Sequence, residues 1–344
     1  MIKTGIIGAT GYAGAELVRI LLRHPEAELA AVGSVSFEGQ PISAVYPALS
    51  EICDLTCVSA NEVVAKSDVI FAAVPYGLSQ DIAATCIAQG KKFIDLGADF
   101  RLEDPAEYEQ WYGCEVTYPE LHQQAVYGLP ELFREEIKSA SIVGNPGCYP
   151  TAVALGLAPA LKNGLVETAG IVIDAKSGVT GAGRGLAQAY HFPDCNEHFL
   201  AYKVACHRHI PEMEQTLSQM AKTAVTVTFV PHLLPVNRGI LVTLYVKLKP
   251  QVILEAVREA YECVYQNERF VRLKPAGTGV NIHDVKGSNY CDIALYDDPR
   301  TGTLIVTSVI DNMVKGAAGQ AVQNMNLICG LEEAVGLDMI PQAF

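Results

Sequence analysis

The sequence lacks the features that mark membrane proteins, secreted proteins and nucleic-acid-binding proteins. No uninterrupted apolar stretch is long enough to span a bilayer. The first residues enter a strand-like run without the charged region, apolar core and cleavage site of a secretory signal, so we expect a cytoplasmic protein. The net charge of −13 disfavours nucleic acid and anionic membranes as partners, because both require a basic surface.

The sequence also lacks paired cysteines. Its ten cysteines are scattered singly, and no Cys-x-x-Cys pair has the spacing of a zinc site. We therefore expect reduced thiols and no metal site. Internal repeats, low-complexity tracts and charge blocks are absent as well, and 344 residues is the length of about two domains.

A glycine-rich turn between a strand and a helix begins the chain. The strand at 3–7 is followed by Gly8-Ala9-Thr10-Gly11-Tyr12-Ala13-Gly14 and then by a helix that continues to about His24. This pattern is a variant of the dinucleotide-binding fingerprint, whose glycines permit a tight turn and bring a pyrophosphate close to the helix N-terminus. A simple strand–helix turn also uses glycine, but the alternating strand–helix series around this one favours nucleotide binding. The expected coenzyme contacts here are Gly8, Thr10, Gly11, Tyr12, Ala13 and Gly14.

The strand–helix alternation continues through the first part of the chain. Almost wholly apolar strands at 29–32, 69–74 and 92–95, with a helix at 78–89, predict a parallel sheet covered on both faces. After residue 148 the strand-like runs are longer, at 171–173, 225–229, 240–246 and 304–309, and a helix at 252–265 separates them, which indicates an α+β domain. The last helix, at 314–329, is expected to pack back on the first domain and make it discontinuous.

Cys148 stands in the turn Gly144-Asn145-Pro146-Gly147-Cys148-Tyr149-Pro150-Thr151, just ahead of an apolar helical pattern that starts at Thr151. Pro150 suits the first turn of that helix, where no amide hydrogen is needed. A thiol at this place feels the positive end of the helix dipole and free backbone amides, both of which favour the thiolate. A small buried hydrophobe is the ordinary interpretation of a cysteine. The turn chemistry here favours a nucleophile.

Six motifs, in order along the chain, resemble those of the N-acetyl-gamma-glutamyl-phosphate reductase family in the aspartate-semialdehyde dehydrogenase superfamily. They are the glycine turn at 8–14, Asp99-Phe100-Arg101, the cysteine turn at 144–151, the run 176–184, the run 207–212 and the run 315–321. The resemblance implies an α/β chain with a Rossmann-type dinucleotide-binding domain over 1–147 and 314–344. It also implies an α+β catalytic and oligomerisation domain with a mostly antiparallel sheet over 148–313, and a homodimer or homotetramer.

The family resemblance implies an NADP-dependent acyl-phosphate reductase. A Cys148 thiolate attacks the acyl phosphate, phosphate leaves, and hydride then reaches the carbonyl of the enzyme-bound thioester. His207 matches the family's acid/base position. A single histidine is ordinarily a surface or core residue, but the sequence His207-Arg208-His209 favours catalysis. In an extended segment His207 and His209 share one face, so His209 is expected to orient the substrate.

Anion recognition requires cations or backbone donors. Arg101 follows the strand 92–95 at its carboxyl end, where doubly wound sheets bind ligands, and the superfamily position implies that it binds phosphate. A surface ion pair with Asp99 or Glu103 is the alternative. Arg184 and Arg208 are candidates for the substrate carboxylate.

The remaining assigned residues lie in loops. Ser177 and Gly178 belong to a glycine-rich loop that presents amides to a ligand, although such loops more often serve only as turns. Ser177 and Asn145 are assigned to the substrate, and Gly178, Pro75 and Asn312 to the coenzyme, Asn312 at its nicotinamide amide.

Acidic residues are missing after the second strand, where a dinucleotide domain usually carries one that binds the adenosine ribose and repels a 2′-phosphate. The segment from Ala30 to Ser36 contains neither Asp nor Glu. Ser34 and Ser36 can donate hydrogen bonds to a phosphate, although no arginine stands close by in sequence and ordinary loop serines are the alternative. With the family resemblance, this segment predicts NADP rather than NAD.

Three alternative functions stay open at this point. N-acetyl-aminoadipyl phosphate is one methylene longer, and a pocket often distinguishes a methylene by only ~1–3 kcal/mol. Aspartate-semialdehyde dehydrogenase activity is disfavoured by the residues around Cys148 and by His207-Arg208-His209. A nucleotide-binding sensor without turnover is a different class of protein, which the combination of Cys148 and His207 disfavours.

Overall fold

The computed structural model describes residues 1–342, and the chain divides into two compact units. The first unit comprises Met1–Pro146 and Ala317–Met339. The second comprises Gly147–Gly316 and, among the described residues, 340–342. Within residues 1–342, no helix is long and apolar enough to cross a membrane.

The first unit is built on a seven-stranded sheet in which all paired strands are parallel. Its strands are β1 Ile2–Ile7, β2 Ala27–Gly33, β3 Cys57–Val58, β4 Val69–Ala72, β5 Lys92–Asp95, β6 Val126–Tyr127 and β7 Ile142–Gly144. Their order is β3-β2-β1-β4-β5-β7-β6. The central strand β4 is buried along its whole length, as expected of a sheet covered on both faces. The predicted Rossmann-type fold is confirmed.

Helices follow most strands of the first unit. They are α1 Tyr12–Leu21, α2 Ile42–Val45, α3 Ala60–Lys66, α4 Ser79–Ala88, α5 Pro105–Tyr112, α6 Pro119–Gln124, α7 Pro130–Ser139 and, last in the chain, α12 Gly319–Ile328; a 3₁₀ turn spans Pro47–Leu49. Side-chain caps start two of them, since Ser59 accepts the Glu62 amide and Asp104 accepts the Ala106 amide. The helix α12 attaches to the unit through polar groups, because its buried Asn324 donates to the Gly128 carbonyl at 2.8 Å.

The second unit carries a mixed seven-stranded sheet. Its strands are β8 Ile171–Gly178, β9 Leu200–Ala201, β10 Val227–Leu234, β11 Ile240–Lys247, β12 Val271–Leu273, β13 Cys291–Asp298 and β14 Thr303–Ile310, in the order β12-β13-β14-β11-β8-β10-β9. The pairs β9–β10, β8–β11, β11–β14 and β13–β14 are antiparallel, whereas β8–β10 and β12–β13 are parallel. The mostly antiparallel sheet predicted from the family is confirmed.

The helices of the second unit are α8 Cys148–Lys162, α9 Phe192–Cys195, α10 Ile210–Ala221 and α11 Leu254–Tyr265, with 3₁₀ turns at Val179–Ala182, Gln188–Tyr190 and Ile282–Val285. The helices α10 and α11 pack against the long, almost wholly buried α8, whereas α9 is mostly exposed. Pro159 inside α8 has no amide hydrogen for the Leu155 carbonyl one turn earlier. The Tyr265 hydroxyl of α11 donates to that carbonyl at 2.6 Å, so the helix keeps its course with the lost bond replaced.

Two helix predictions differ from the structure. The helix α8 starts at Cys148 rather than Thr151, so Cys148 is its first residue and not a residue ahead of it. The predicted helix 314–329 is a π-helical turn, Val314–Ala318, followed by α12. The amide of Gly316 bonds to the Asp311 carbonyl five residues back at 3.0 Å, and this spacing breaks the 3.6-residue period on which the prediction depended.

Candidate active site

Cys148 begins the buried helix α8 and is itself partly exposed. Gly147 is the N-cap, with extended backbone, and its carbonyl accepts the first intrahelical bond from the Thr151 amide at 3.0 Å. The Gly147 amide donates to the fully buried carboxylate of Glu212 at 2.7 Å. A thiol on the first residue of a helix lies at the positive end of the helix dipole, where the thiolate is favoured over the thiol.

The imidazole of His207 lies against the residue that follows Cys148. Its ring centroid is 5.6 Å from that of Tyr149 and 5.7 Å from that of Tyr202, both in edge contacts. Burial, followed by the charges of Lys203 and Arg208, lowers the pKa of His207 to about 4. The ring is therefore neutral near pH 7.

A backbone contact selects the tautomer of this neutral ring. The His209 amide donates to His207 Nδ1 at 3.1 Å, so Nδ1 is the acceptor and the proton resides on Nε2. His207 can thus offer an N–H donor at Nε2 while remaining uncharged.

The argument that placed His209 beside His207 was wrong, although the two rings are neighbours. The segment is a turn leading into α10, and His209 has helical backbone angles (φ −81°, ψ −4°) rather than extended ones. The turn brings the two ring centroids to 4.8 Å. The substrate-orienting role of His209 stays a prediction.

Three functional candidates were missed by sequence reasoning. Tyr149 is buried, and its hydroxyl lies 3.3 Å from that of Tyr202. Burial raises the pKa of both phenols, that of Tyr202 to about 12, so both are neutral hydrogen-bonding groups. Glu212 and Tyr149 lie inside the recognised motifs, and that position is the signal that could have identified them. Tyr202 carries no sequence signal, because only the fold brings it to Tyr149.

The glycine turn after β1 has a separate physical reason for each glycine. Gly8 has a positive φ of +86°, and a Cβ there would lie 2.3 Å from the Ala73 carbonyl oxygen. A Cβ on Gly14 would lie 2.3 Å from the Gly8 carbonyl oxygen, so Gly14 lets α1 pack tightly against the turn at Gly8. Gly11 differs, because a Cβ there meets only the Gly8 oxygen, at 3.4 Å. Gly8 and Gly14 are therefore required by the backbone geometry of the turn. Gly11 instead keeps open the space above the helix start.

That open space lies at the N-terminus of α1. Gly11 is the N-cap, and the first intrahelical bond runs from the Ala15 amide to its carbonyl at 2.9 Å. The amides of Tyr12, Ala13 and Gly14 come before this bond and have no helical acceptor one turn earlier. Amide donors at the positive end of a helix suit a pyrophosphate. The residues therefore fit a dinucleotide.

Two serines follow β2: Ser34 contacts the glycine turn, and Ser36 is exposed to solvent. Ser34 is buried, and its hydroxyl shares a hydrogen bond of 2.8 Å with the Thr10 hydroxyl. The Tyr46 hydroxyl donates to the Thr10 carbonyl at 2.9 Å and fixes the turn. Ser36 is exposed two residues later. No acidic side chain stands on this segment.

Pro75 lies in the exposed turn that follows β4, the neighbour of β1 in the sheet. The buried Asp99 carboxylate holds this turn by accepting the amides of Gly77 at 2.6 Å and Ser79 at 2.9 Å. Burial and the charge of Asp99 raise the pKa of Asp95 to about 6. A turn fixed at the carboxyl end of β4 stands beside the glycine turn, where doubly wound sheets bind ligands.

Arg101 and Asn145 are both buried and both occupied by contacts within the first unit. Arg101 donates from Nε to the Asn145 carbonyl at 2.8 Å and from Nη2 to the Leu96 carbonyl at 2.9 Å. The Asn145 side chain donates to the Ala317 carbonyl at 3.1 Å and accepts from Asn324 at 3.0 Å. These bonds fix the orientation of the Arg101 and Asn145 side chains.

The loop after β8 brings Asn312 to the residues that follow Gly178. The Asn312 side chain accepts the Gly239 amide at 2.8 Å and donates to the Thr180 hydroxyl at 2.9 Å. The buried Ser177 hydroxyl donates to the Gly178 carbonyl at 3.0 Å. Arg208 is half-buried beside His207, whereas Arg184 lies in an exposed stretch. Ser177, Gly178 and Asn312 are thus brought together, and the role of Arg184 stays a prediction.

Comparison with known proteins agrees with this geometry. A family model described as the NAD binding domain of semialdehyde dehydrogenase matches residues 3–140, and one described as its dimerisation domain matches residues 148–312. The chain belongs to the semialdehyde dehydrogenase family. The family predicted from the six motifs is confirmed.

The curated relatives of this semialdehyde dehydrogenase family member are full-length matches. The chain is 54% identical to an N-acetyl-gamma-glutamyl-phosphate reductase of Clostridium beijerinckii over 100% of both chains. It is 56% identical to one of Pelotomaculum thermopropionicum, covering 98% of this chain and 97% of the relative.

Solved structures with the same fold are more distant in sequence. Aspartate semialdehyde dehydrogenase II of Vibrio cholerae, complexed with ASA, superposes with a TM-score of 0.73 at 16% identity, covering 96% of this chain and 98% of that one. The enzyme of Candida albicans with NADP gives a TM-score of 0.72 at 15% identity over 96% and 98%. These two structures show that the fold is shared.

Proposed function

We propose that this chain reduces N-acetyl-gamma-glutamyl phosphate to N-acetyl-glutamate semialdehyde with NADPH, a step of arginine biosynthesis, through a thioester on Cys148. The observation that carries the proposal is the position of Cys148 as the first residue of α8, with a neutral His207 ring against the next residue. The full-length relatives named for this reaction support the choice of substrate.

Cys148 performs the acyl transfer. The thiolate sulfur forms a bond to the acyl carbon, the bond between that carbon and the phosphate oxygen breaks, and phosphate leaves with the electron pair. The sulfur is on the first residue of α8, at the positive end of the helix dipole, which favours the thiolate. NADPH, when bound, supplies the hydride that converts the thioester carbonyl to a thiohemiacetal oxyanion.

His207 stabilises the negative charge of that oxyanion. A neutral ring protonated on Nε2 can donate a hydrogen bond to the developing oxygen anion. When the carbon–sulfur bond breaks, the oxygen regains its double bond to carbon, Nε2 keeps its proton, and Cys148 leaves as the thiolate. The semialdehyde is released and the enzyme is regenerated.

Substrate and coenzyme binding are assigned residue by residue. Arg101, with backing from Asn145, binds the phosphate group, and Ser177, Arg184, Arg208 and His209 bind or orient the rest of the substrate. The coenzyme is bound by Gly8, Thr10, Gly11, Tyr12, Ala13, Gly14, Ser34, Ser36, Pro75, Gly178 and Asn312. The space left open by Gly11 and the absence of an acid beside Ser34 support this set.

The two domains have different roles. Residues 1–147 and 314–344 form the coenzyme-binding domain, and residues 148–313 form the catalytic domain, through which the chain assembles as a homodimer or homotetramer in the cytoplasm. The match of residues 148–312 to a family model described as a dimerisation domain supports this assembly.

The reverse reaction tests the function, because the semialdehydes are more stable than acyl phosphates. Formation of NADPH would be followed with NADP⁺, phosphate and each of three aldehydes: N-acetyl-glutamate semialdehyde, N-acetyl-aminoadipate semialdehyde and aspartate semialdehyde. We expect the highest kcat/KM with the first. A higher value with either other aldehyde reassigns the substrate, and coenzyme binding without turnover on any of them indicates a sensor.

A further inference from the structure

Gly316 has no room for a side chain, and the residue that fills that room is Cys148. A Cβ atom on Gly316 would lie 2.8 Å from Cys148 Cβ and 3.2 Å from Cys148 Cα. Carbon atoms in contact normally lie about 3.5–4.0 Å apart. Both Cys148 atoms are fixed by its backbone, so a rotamer change cannot relieve the contact. The backbone of Gly316 therefore limits how the start of α8 can be placed.

The position of Gly316 depends on the π-helical turn Val314–Ala318. Its amide donates to the Asp311 carbonyl at 3.0 Å, a bond over five residues instead of four. Single π-helical turns are uncommon and frequently occur at functional sites. The wider turn carries one residue more between Asp311 and Gly316 than an α-helical bond would enclose.

The side chain of Asp311 holds the turn in this shape. The carboxylate is fully buried, and its Oδ1 accepts the amides of Met313 at 2.8 Å and Val314 at 3.2 Å. Its Oδ2 accepts the amide of Gly287 at 2.7 Å. Both oxygens are thus bound by fixed backbone donors, which makes the segment ahead of Gly316 rigid.

We propose that Gly316 is a positioning residue for the nucleophile: its missing side chain and its π-helical turn set the place of Cys148 at the start of α8. The catalytic consequence rests on the proposed thioester chemistry, whereas the effect on the thiol itself does not. A methyl group at 316 displaces the start of α8. A misplacement of about 1 Å at a reacting group costs on the order of 10²-fold in rate.

Alkylation of Cys148 tests the proposal without any substrate. The rate constant for iodoacetamide modification of Cys148, resolved by peptide mass spectrometry over the pH range in which thiols ionise, would be compared between the wild type and Gly316→Ala. We expect a change of at least about threefold in that rate constant. In turnover, we expect kcat to fall at least about tenfold while the KM for NADPH changes by less than about twofold.

Gly156→Ala is the matched control on the same helix. A Cβ on Gly156 would lie 2.6 Å from Leu244 Cδ1, so this variant overpacks α8 well away from Cys148. We expect it to lower the unfolding midpoint but to leave the alkylation of Cys148 unchanged. Equal alkylation effects in the two variants would overturn the proposal, because general overpacking would then explain both.

Asp311→Asn tests the role of the π-helical turn without adding an atom at position 316. It weakens the hold on the turn, and we expect a change of Cys148 alkylation in a folded protein. Unchanged Cys148 alkylation in a folded Gly316→Ala variant overturns the proposal. If Gly316→Ala fails to fold, Asp311→Asn is the deciding variant, and unchanged Cys148 alkylation in Asp311→Asn overturns the proposal. If the wild type shows no acyl-phosphate reductase turnover, the proposed function is refuted. If Gly316→Ala still changes the alkylation of Cys148 in that case, this inference stands.

Discussion

The carboxylate of Glu212 accepts the amide hydrogen of Gly147 at 2.7 Å, directly before Cys148 in the chain. Glu212 lies in the first turn of α10 and is fully buried, and Gly147 is the N-cap of α8. One hydrogen bond therefore joins the starts of two helices beside Cys148 and beside the His207–His209 turn. The geometry of the thiol depends on a residue whose own side chain has no access to solvent.

Removing this carboxylate is expected to damage both stability and rate. Glu212→Ala leaves the buried Gly147 amide without its acceptor, which costs about 1–3 kcal/mol in the free energy of unfolding. The same loss loosens the start of α8, so kcat falls while the Kd for NADPH stays near the wild-type value. Urea unfolding and steady-state kinetics measure the two effects. Glu212→Gln keeps an acceptor oxygen and is expected to lose less of each; equal losses in both variants would show that charge and not the hydrogen bond matters.

Replacing Cys148 by serine is expected to remove nearly all turnover, because a hydroxyl is far less ionised than a thiol near neutral pH. A residual kcat above about a tenth of the wild type, equivalent to less than ~1.4 kcal/mol of barrier, would contradict covalent catalysis by this residue. Cys263→Ser is the control, since Cys263 is exposed on α11, and its turnover is expected to match the wild type. Trapping of the acyl group on Cys148, detected by mass spectrometry, checks the thioester directly.

The pKa of His207, lowered to about 4, determines how activity depends on pH. The ring is neutral well below the ordinary histidine value near 6.5, so kcat/KM is expected not to lose the His207 contribution as the pH falls through 6.5. The loss begins only as the pH approaches about 4. His207→Asn is expected to lower kcat strongly with little change in the Kd for NADPH. An acid limb near 6.5 that disappears in this variant would contradict the assignment.

The lowered pKa of His207 also makes the free energy of unfolding depend on pH. Because the folded-state pKa lies below the unfolded value, the unfolded chain takes up the proton first. The contribution of His207 to the free energy of unfolding is therefore fully present above about 6.5 and is lost as the pH falls from there toward about 4. Urea unfolding over this range should give a flatter pH dependence for His207→Asn than for the wild type.

The sequence predicted the fold better than it predicted the site. Strand β5 at Lys92–Asp95 was predicted with its observed bounds, because a short apolar strand between two polar segments of a parallel sheet has clear edges. The start of α8 was placed three residues late, since Cys148, Tyr149 and Pro150 carry no helical periodicity of their own. The motifs pointed to Cys148, His207 and the glycine turn, whose roles stay predictions.

The contacts that organise the site were not predictable in this way. The bond between Gly147 and Glu212 joins residues 65 positions apart, and the ring contact of Tyr202 with His207 depends on a turn without periodicity. The π-helical turn before α12 depends on the buried Asp311 carboxylate, and no hydrophobic pattern reports a hydrogen bond over five residues. Long-range polar contacts are set by the tertiary fold, whereas periodicity reports only local burial.

Gly11 and Gly14 of the glycine turn are expected to respond differently to alanine. Gly11→Ala adds a methyl group that only touches the Gly8 oxygen, so the protein should fold, but the methyl occupies the space above the α1 amides. We expect its unfolding midpoint to stay near the wild type and its Kd for NADPH to rise at least about tenfold, or ~1.4 kcal/mol. Gly14→Ala places the methyl 2.3 Å from a carbonyl oxygen and should chiefly destabilise the first unit. Calorimetric binding and thermal unfolding separate the two, and unaltered binding by a folded Gly11→Ala would argue against a pyrophosphate at this turn.

The segment after β2 is expected to set the choice of coenzyme. It lacks the carboxylate that would repel a 2′-phosphate, and the Ser34 hydroxyl is held there by Thr10. We expect kcat/KM with NADPH to exceed that with NADH by at least about tenfold, or ~1.4 kcal/mol. Ser34→Asp introduces the missing charge at this position and should lower kcat/KM with NADPH while affecting NADH much less, whereas the uncharged Ser34→Asn serves as the control for the change of side-chain size. Steady-state kinetics with both coenzymes checks each step. Equal or better use of NADH by the wild type would mean that the absent carboxylate does not decide the preference, and a Ser34→Asp variant with unaltered selectivity would place the 2′-phosphate away from β2.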